Sequence, residues 1–364
     1  MDINTAEIKK KLLEKTESVK KTVEEKAGRT LPWTKIAAAL VGVVLVAGVA
    51  AGVGGKKESS KSAETKTESS KSEAKKKEAP KTKQTLSPKK VPEYLKVEDY
   101  SDGTWVTGYN ASGFPENLQI PDGIVGIRVG AFGNCLQLES VEIPKSVKHV
   151  GGFGGCKMLE RVTLANGVET IGFGAFSECV SLANITIPKS VKKIEGNAFS
   201  GCTSLESIVI PDSVTELGYA FKGCTVLKSV KIGNSVTYIN DAFYGCTSLE
   251  SIEIPDSVTG IGGDAFRDCT ALKSVKIGGG VTSIGDHAFE NCKSLESVSI
   301  PKSVTRIGYY TFAGCNSLKE AQFAGPAKLW KLIGKEDSNA AYPSFNRGVT
   351  IKCSDGDIAW DAKD

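Results

Sequence analysis

One unit of about 23 residues recurs nine times, and this repetition constrains the fold more than any other feature of the sequence. Each copy follows the pattern LxxVxIPxSVxxIGxxAFxxCxS, with a phenylalanine three residues before a cysteine and a leucine three residues after it. A unit this short cannot bury its own apolar positions, so the pattern predicts a solenoid of stacked units that share one core. The nine cysteines, separated by 21 to 23 residues, are Cys135, Cys156, Cys179, Cys202, Cys224, Cys246, Cys269, Cys292 and Cys315.

Each unit contains one predicted strand. In the stretch SIEI at 251–254, isoleucines alternate with a serine and a glutamate, which is the period of a strand with one buried face. Pro255, or a glycine at the same position of other units, ends the strand. Val258 and Ile261 are predicted to point inward from the return path, and Gly262 to permit a turn that other residues resist. Strands of successive units are predicted to pair into one parallel sheet.

Charges alternate between neighbouring units. Like charges on paired strands would repel at a spacing of about 4.8 Å, whereas opposite charges attract, so this alternation supports the predicted pairing. Each exposed pair contributes only about 0–1 kcal/mol, which makes alternation a guard against repulsion more than a source of stability. At the position after the recurring leucine the order is Glu206, Lys228, Glu250, Lys273, Glu296 and Lys319, and three residues further on it includes Lys231, Glu253 and Lys276.

The unit resembles the BspA-like leucine-rich repeat, and the resemblance covers roughly residues 92–357. The stretch starting WVTGYNASGF is similar to the family's leading cap, and AGPAKLWKLI followed by VTIKCSDG is similar to its trailing cap. The chain departs from the pattern at 150–156, which is two residues short, and at Ala165, where proline is usual. The resemblance implies an α/β solenoid, a right-handed superhelix with a parallel β-sheet on its concave face. It also implies an extracytoplasmic surface protein. Some members of the family act as adhesins.

Residues 36–55 are predicted to form a single transmembrane helix. This stretch contains no charged residue, and twenty helical residues span about 30 Å, the thickness of a bilayer core. An uncleaved anchor is favoured because 35 residues precede it, although cleavage as a signal peptide stays open. The two sides of the segment carry equal numbers of lysine and arginine residues, so charge does not decide its orientation in the membrane. Gly48 and Gly52 form a small-residue pair that could support weak helix dimerisation. In a segment this rich in alanine and glycine, chance explains such a pair equally well.

The chain divides into segments of unlike composition. Residues 1–35 are interpreted as a charged, solvated helix, with a weak coiled coil as the alternative. Residues 56–91 are predicted to be a disordered linker rich in Lys, Ser, Glu and Thr, because their composition cannot build a core. The remaining predicted segments are an N-terminal cap at 92–120, leucine-rich repeats at 121–324 and a C-terminal cap at 325–364.

The sequence favours neither catalysis nor nucleic-acid binding. The net charge is only +4, and the basic residues concentrate before residue 91, so the repeats lack a predicted basic face. His149 and His287 have no sequence context for a catalytic base or a zinc ligand. No phosphate loop or CxxC motif occurs. We therefore predict no enzyme, no cofactor and no metal.

The nine regularly spaced cysteines, here called the ladder cysteines, could be interpreted as disulfide or metal-binding residues. Because each occupies the same position of its unit, they are predicted instead to pack as small buried apolar groups. Cys353 lies outside the ladder, and two alternatives remain for it, a disulfide with Cys315 or an unpaired residue of the cap.

The predicted function is that of a membrane-anchored binding module whose sheet contacts a protein or glycan partner. A broad, mixed-charge, hydrogen-bonding surface suits such a partner better than a small substrate. The alternative is a structural spacer or envelope scaffold without a dedicated ligand, which near-identical repeats would also fit. The predicted partner-binding residues are Glu142, Arg161, Thr163, Asn184, Lys231, Glu253, Lys276, Ser299 and Gln322.

Overall fold

The computed structural model describes residues 91–333, 345 and 348–359. The predicted N-terminal helix, the apolar segment 36–55 and almost all of the predicted linker lie outside these residues. Among the described residues, no helix combines the length and apolar character that crossing a bilayer requires. The predicted anchor is therefore not tested by the structure.

The described chain is built from short strands and one short helix, α1 (Ala327–Trp330). In chain order the strands are β1 (Leu95–Tyr100), β2 (Gly103–Tyr109), β3 (Asn117–Gln119), β4 (Ile124–Ile127), β5 (Ser140–Ile143), β6 (His149–Val150), β7 (Arg161–Leu164), β8 (Thr170–Ile171), β9 (Lys193–Ile194), β10 (Ser207–Val209), β11 (Glu216–Leu217), β12 (Ser229–Lys231), β13 (Tyr238–Ile239), β14 (Ser251–Ile254), β15 (Gly260–Ile261), β16 (Ser274–Ile277), β17 (Ser283–Ile284), β18 (Ser297–Ile300), β19 (Arg306–Ile307), β20 (Glu320–Phe323), β21 (Thr350–Cys353) and β22 (Gly356–Ala359).

The strands predicted from the repeat are β3, β5, β7, β10, β12, β14, β16, β18 and β20, here called the unit strands. They pair in parallel, with equivalent positions of successive units in register: Glu253 lies opposite Lys276, for example. Their inward side chains alternate with exposed ones, as in the buried Ile252 and Ile254. The stacked parallel units confirm the predicted solenoid.

The unit strands form three sheets, whereas the sequence predicted one. The sheets are β3-β5-β7, then β10-β12, then β14-β16-β18-β20, which continues into β21 and β22. The first interruption is at residues 182–188, which are irregular although Ile185 and Ile187 stay buried. The second lies between β12 and β14. The inward residues Val162 and Val230, on the strands that precede the two interruptions, are only half-buried, whereas Ile208 and Ile252, on the strands that follow them, are buried.

A second parallel sheet, here called the return sheet, was not predicted. It contains 11 strands in the order β1-β2-β4-β6-β8-β9-β11-β13-β15-β17-β19, and most of its strands have only two residues. The second residue of each short strand points into the core, as Ile239 does, while the first residue is exposed or half-buried except at Gly260. Two hydrogen-bonded residues are too few to show a strand period in sequence, so the pattern suggested only a turn.

A column of phenylalanine rings fills the centre of the solenoid. Nine rings, one per unit, stack with centroids 4.9–5.6 Å apart and ring planes within 15° of parallel. Phe345 extends the column beyond Phe312, at 4.6 Å. All nine are completely buried, so each ring depends on its neighbours in the adjacent units for its packing.

The ladder cysteines are buried thiols, as predicted. All nine lie in the core without a disulfide, and each from Cys156 to Cys315 donates a hydrogen bond to the backbone oxygen of the phenylalanine one unit earlier, at 3.1–3.3 Å. Burial raises the pKa of the Cys224 and Cys269 thiols to about 12. Cys353 is also a thiol and only half-buried, so the alternative of a disulfide with Cys315 is wrong.

The turns of the solenoid require special backbone conformations at one position of each unit. The residue immediately before every ladder cysteine has a positive φ, which explains why glycine, asparagine or an acidic residue stands there. Gly262 has an ordinary φ, so the predicted reason for that glycine is wrong. It is needed for close approach, since a Cβ at Gly262 would lie 2.2 Å from Oδ1 of Asn240 and 3.1 Å from its Cα. Positive φ also occurs two residues before the phenylalanine in most units, as at Asn197 and Asp264. The residues immediately before the ladder cysteines are Asn134, Gly155, Glu178, Gly201, Gly223, Gly245, Asp268, Asn291 and Gly314.

Antiparallel hairpins stand at both ends of the stack. At the start, β1 pairs with β2, which then pairs in parallel with β4. At the end, β21 joins β20 in parallel and folds back onto β22. Trp330 of α1 packs edge-on against Phe323 at 5.3 Å and helps to cover the last turn of the core.

Candidate functional site

The site predicted from the sequence is the outward face of the unit strands, here called the strand face. Because inward and outward residues alternate, every second side chain of each strand reaches this face. The structure brings four of the nine predicted residues into one row and divides the other five among separate places. Glu253, Lys276, Ser299 and Gln322 form the row; Glu142, Arg161 and Thr163 lie on the first sheet; Asn184 lies in the first interruption; Lys231 lies on β12.

The row on β14, β16, β18 and β20 is the most regular part of the strand face. Glu253, Lys276, Ser299 and Gln322 occupy the same register position on four successive paired strands. They line a shallow depression of about 460 Å³. A parallel row of exposed serines, contributed by the first residue of β14, β16 and β18, lies beside them. This part of the surface offers carboxylate, ammonium, hydroxyl and amide groups at the strand spacing.

Charges on the strand face pair with each other, as the alternation predicted. Lys276 Nζ lies 2.6 Å from Glu253 Oε1, and both side chains are about 70% exposed (71% and 69%). The hydrogen bond that Lys276 donates to Glu253 raises the pKa of Lys276. The same kind of pair joins Lys228 to Glu206 at 3.7 Å and Lys273 to Glu250 at 3.5 Å. Since these pairs are exposed, they contribute little stability and remain available to exchange partners.

The residues on the first sheet form a separate group. Gln119 donates a hydrogen bond to Glu142 at 3.3 Å, and Arg161 contacts the adjacent Glu160 at 3.3 Å. Glu142 and Thr163 line another depression, of about 550 Å³, with Tyr94 of the cap. This group is separated from the serine-bordered row by both sheet interruptions.

Asn184 and Lys231 do not join either group. Asn184 lies in the irregular segment 182–188, so no strand holds it in register with its neighbours. Lys231 pairs in register with Val209, whose side chain is 58% exposed, and its predicted alternation with Glu253 falls across the second interruption. The predicted residues thus lie on the strand face but do not share one continuous sheet.

The two histidines interact with neighbouring side chains. His149 stacks on Trp105 with a centroid distance of 5.5 Å, and His287 Nδ1 lies 2.9 Å from Glu290 Oε2. In the part of the chain that the structure describes, no three His, Cys, Asp or Glu side chains are arranged to hold a metal ion.

Sequence reasoning missed three exposed aromatic residues, one on β13 of the return sheet and two just beyond the ends of β8 and β11. Phe173, Tyr219 and Tyr238 are 48%, 38% and 49% exposed. A signal was available, since Phe173 and Tyr219 occupy a unit position that other copies fill with Asp241 or Asp286. The sequence did not show that side chains at this position are exposed, because the return sheet was not predicted.

Comparison with known proteins supports the fold. A family model described as the BspA type leucine rich repeat region matches at residues 109–219, 150–242 and 240–331, which together include more than half of the chain. No curated protein matches the chain.

Several solved structures resemble the chain. A leucine-rich repeat protein from Bacteroides ovatus matches with a TM-score of 0.54 and 27% identity, over 64% of this chain and 70% of that one. A T. pallidum leucine-rich repeat protein has 27% identity and a TM-score of 0.42, over 67% and 94%. A leucine-rich cell surface protein from Faecalibacterium prausnitzii has 23% identity and a TM-score of 0.40, over 67% and 96%. The first of these carries the structural argument, since the other two have TM-scores below 0.5.

Proposed function

The chain belongs to the BspA-type leucine-rich repeat family, and on that premise we propose that its solenoid is a non-catalytic binding module for a protein or glycan partner. The observation that carries the proposal is the in-register row on β14, β16, β18 and β20, where Glu253 to Gln322 stand side by side on paired strands. This row is rigid because the ladder of backbone hydrogen bonds holds it. It therefore presents hydrogen-bonding groups without a large cost of ordering on binding.

The shape of the row suits a large partner. Its depression is shallow and open, whereas sites for small molecules are concave and bury most of the ligand. The pair formed by Lys276 and Glu253 can be redirected toward a partner's charges at little cost, because both groups are largely exposed. Mixed polar surfaces of this kind are ordinary in non-obligate protein interfaces.

The module is proposed to be tethered to a membrane outside the cytoplasm. The apolar segment 36–55 supports a single span, and the Lys/Ser/Glu/Thr-rich stretch 56–91 supports a flexible connection to the repeats. Such a linker has a root-mean-square length of roughly 30–35 Å, enough to hold the solenoid clear of the bilayer surface. An adhesin-like role follows from this placement.

We expect replacement of the row to weaken partner binding without unfolding the chain. The variant is Glu253→Ala, Lys276→Ala and Gln322→Ala combined, made in the full-length chain. Removing these exposed groups deletes the polar contacts, and retention of a specific partner from solubilised surface material should fall at least about tenfold, equivalent to about 1.4 kcal/mol. The measurement is retention on immobilised protein, with circular dichroism to verify folding.

The matched control is Lys192→Ala with Glu169→Ala, an exposed pair at 3.4 Å whose residues immediately precede β9 and β8 of the return sheet. Undiminished retention by the row variant would place the interface elsewhere. A wild-type chain that retains nothing specific would favour the alternative of a structural spacer, which the near-identical, self-paired units also fit.

Protease treatment of intact cells is expected to release fragments of the repeat domain. If the solenoid lies outside the cytoplasm, an added protease reaches its linker without lysis, and an antibody against the repeats detects the loss from cells. A cytoplasmic enzyme, which must stay intact, serves as the control. Protection of the repeats until the cells are lysed would contradict surface display.

A further inference from the structure

The return sheet carries a groove distinct from the strand face. It has a volume of about 440 Å³ and crosses β9, β11 and β13, starting from Phe173 in the segment that follows β8. Phe173 lies at one end and Tyr238 at the other, with Lys193, Glu216 and Thr215 between them. Three strand spacings make the groove about 14 Å long. It is thus an open, elongated depression with aromatic ends and a polar middle.

Glycine residues beneath the tyrosines hold the rings against the sheet. A Cβ added at Gly260 would lie 2.6 Å from the ring of Tyr238, and a Cβ added at Gly196 would lie 2.6 Å from the ring of Tyr219. Each ring therefore fills the space that a side chain of the neighbouring strand would take. About half of Tyr238 remains exposed, so the groove offers a ring surface that is already positioned and loses little freedom on binding.

The charged groups of the groove already have partners. Lys193 Nζ lies 3.0 Å from Glu216 Oε2 and 3.7 Å from Glu195 Oε1. The other oxygen of Glu195 accepts a hydrogen bond from the backbone N–H of Phe173 at 2.9 Å. The hydrogen bonds and charge of these glutamates raise the pKa of Lys193, Glu216 contributing most. A charged ligand would have to displace these contacts. A neutral ligand can instead bind the carboxylate lone pairs and ammonium N–H groups that these contacts do not use.

We propose that this groove binds a neutral oligosaccharide. A pyranose ring has an apolar face of C–H groups that packs on an aromatic ring, and hydroxyls at its rim that can both donate and accept hydrogen bonds. Phe173 and Tyr238 supply the ring surfaces of the groove, and Tyr219 packs beside it over Gly196. Lys193 and the two glutamates supply donors and acceptors between them. The inference deepens the proposed binding function by naming a ligand class, and it places that ligand away from the strand face.

A cationic peptide is the competing occupant, since aromatic rings and carboxylates also attract ammonium and guanidinium groups. Lys193 argues against it, because this ammonium already occupies the position between Glu195 and Glu216 that such a group would take. The neutral sugar is therefore the better fit to the groove as it stands.

The test is titration calorimetry of the full-length chain, purified in a sugar-free detergent, with a fixed panel of probes. The panel comprises cellotetraose, chitotetraose, mannotetraose and maltotetraose, with tetra-arginine as the cationic probe. We expect at least one of the four sugars to bind with a Kd of about 0.1–1 mM, since an open groove buries only part of a ligand. Tyr238→Ala and Phe173→Ala should each weaken this binding at least about tenfold.

Three control variants distinguish sugar binding in the groove from sugar binding elsewhere on the solenoid. Tyr310→Ala removes another exposed tyrosine, outside the groove and 54% exposed, and should leave sugar binding within about twofold of wild type. Tyr238→Phe keeps the ring and should retain most of the affinity. The row variant of the strand face should bind sugar normally, so loss of partner binding there and loss of sugar binding here are distinguishable. No binding of any sugar, binding of tetra-arginine alone, or sugar binding insensitive to both groove variants would overturn the proposal.

Discussion

Raising the pH from about 8 to about 10 is expected to lower the free energy of unfolding by about 10 kcal/mol, because the buried thiols keep their protons while the unfolded chain loses its own. Burial raises the pKa of eight ladder thiols above the ordinary value of 9.0. Above pH 9 the unfolded state therefore binds fewer protons than the native state, and stability falls. The stabilisation that the buried thiols contribute to the folded state is complete below pH 9. It is lost as the pH rises toward the pKa of the thiols in the folded state, which is about 12 for Cys224 and Cys269.

The measurement is denaturant unfolding at several pH values between about 8 and 10 with a reductant present. Each thiol accounts for about 1.4 kcal/mol per pH unit above its unfolded pKa, so Cys246→Ala should reduce the slope by about that amount. Cys353→Ala is the matched control, since that thiol is only half-buried and should change the slope less. Equal slopes for wild type and Cys246→Ala would contradict the argument.

Removing one ring from the phenylalanine column is expected to destabilise the solenoid by about 4 kcal/mol, because Phe266→Ala leaves a cavity in the core. Phe266 is completely buried and stacks on Phe243 at 5.4 Å and on Phe289 at 5.3 Å, so both contacts are lost at once. Since each unit touches only its neighbours, the damage also weakens the coupling between the two halves of the stack. We expect unfolding to become broader or to separate into two transitions.

Thermal and denaturant unfolding followed by circular dichroism would measure this effect. Phe173→Ala removes the same side chain from an exposed position and should change stability by less than about 0.5 kcal/mol. Phe266→Leu, which keeps most of the volume, should lie between the two. Similar stabilities for Phe266→Ala and Phe173→Ala would show that the column does not hold the units together.

Much of the architecture could be predicted from repetition alone. The spacing of Phe266 and Cys269 recurs in every unit, and only a stack of units can bury both, so the shared core and the buried thiols followed directly. The alternation of Glu253 and Lys276 likewise required adjacent paired strands, and the structure places them 2.6 Å apart. The face that carries the predicted residues was therefore recognisable before any coordinate was known.

By itself, the sequence determined the unit, its inward positions and the order in which units follow one another, because these depend on a local period that each copy repeats. Only the tertiary structure decided where sheets begin and end. The break at Asn184 and the return sheet beneath Tyr238 depend on hydrogen bonds between units, and each unit contributes too few residues for a period to reveal them. Candidate sites built across several units, the row at Glu253 and the groove at Phe173, are accordingly properties of stacking and of register.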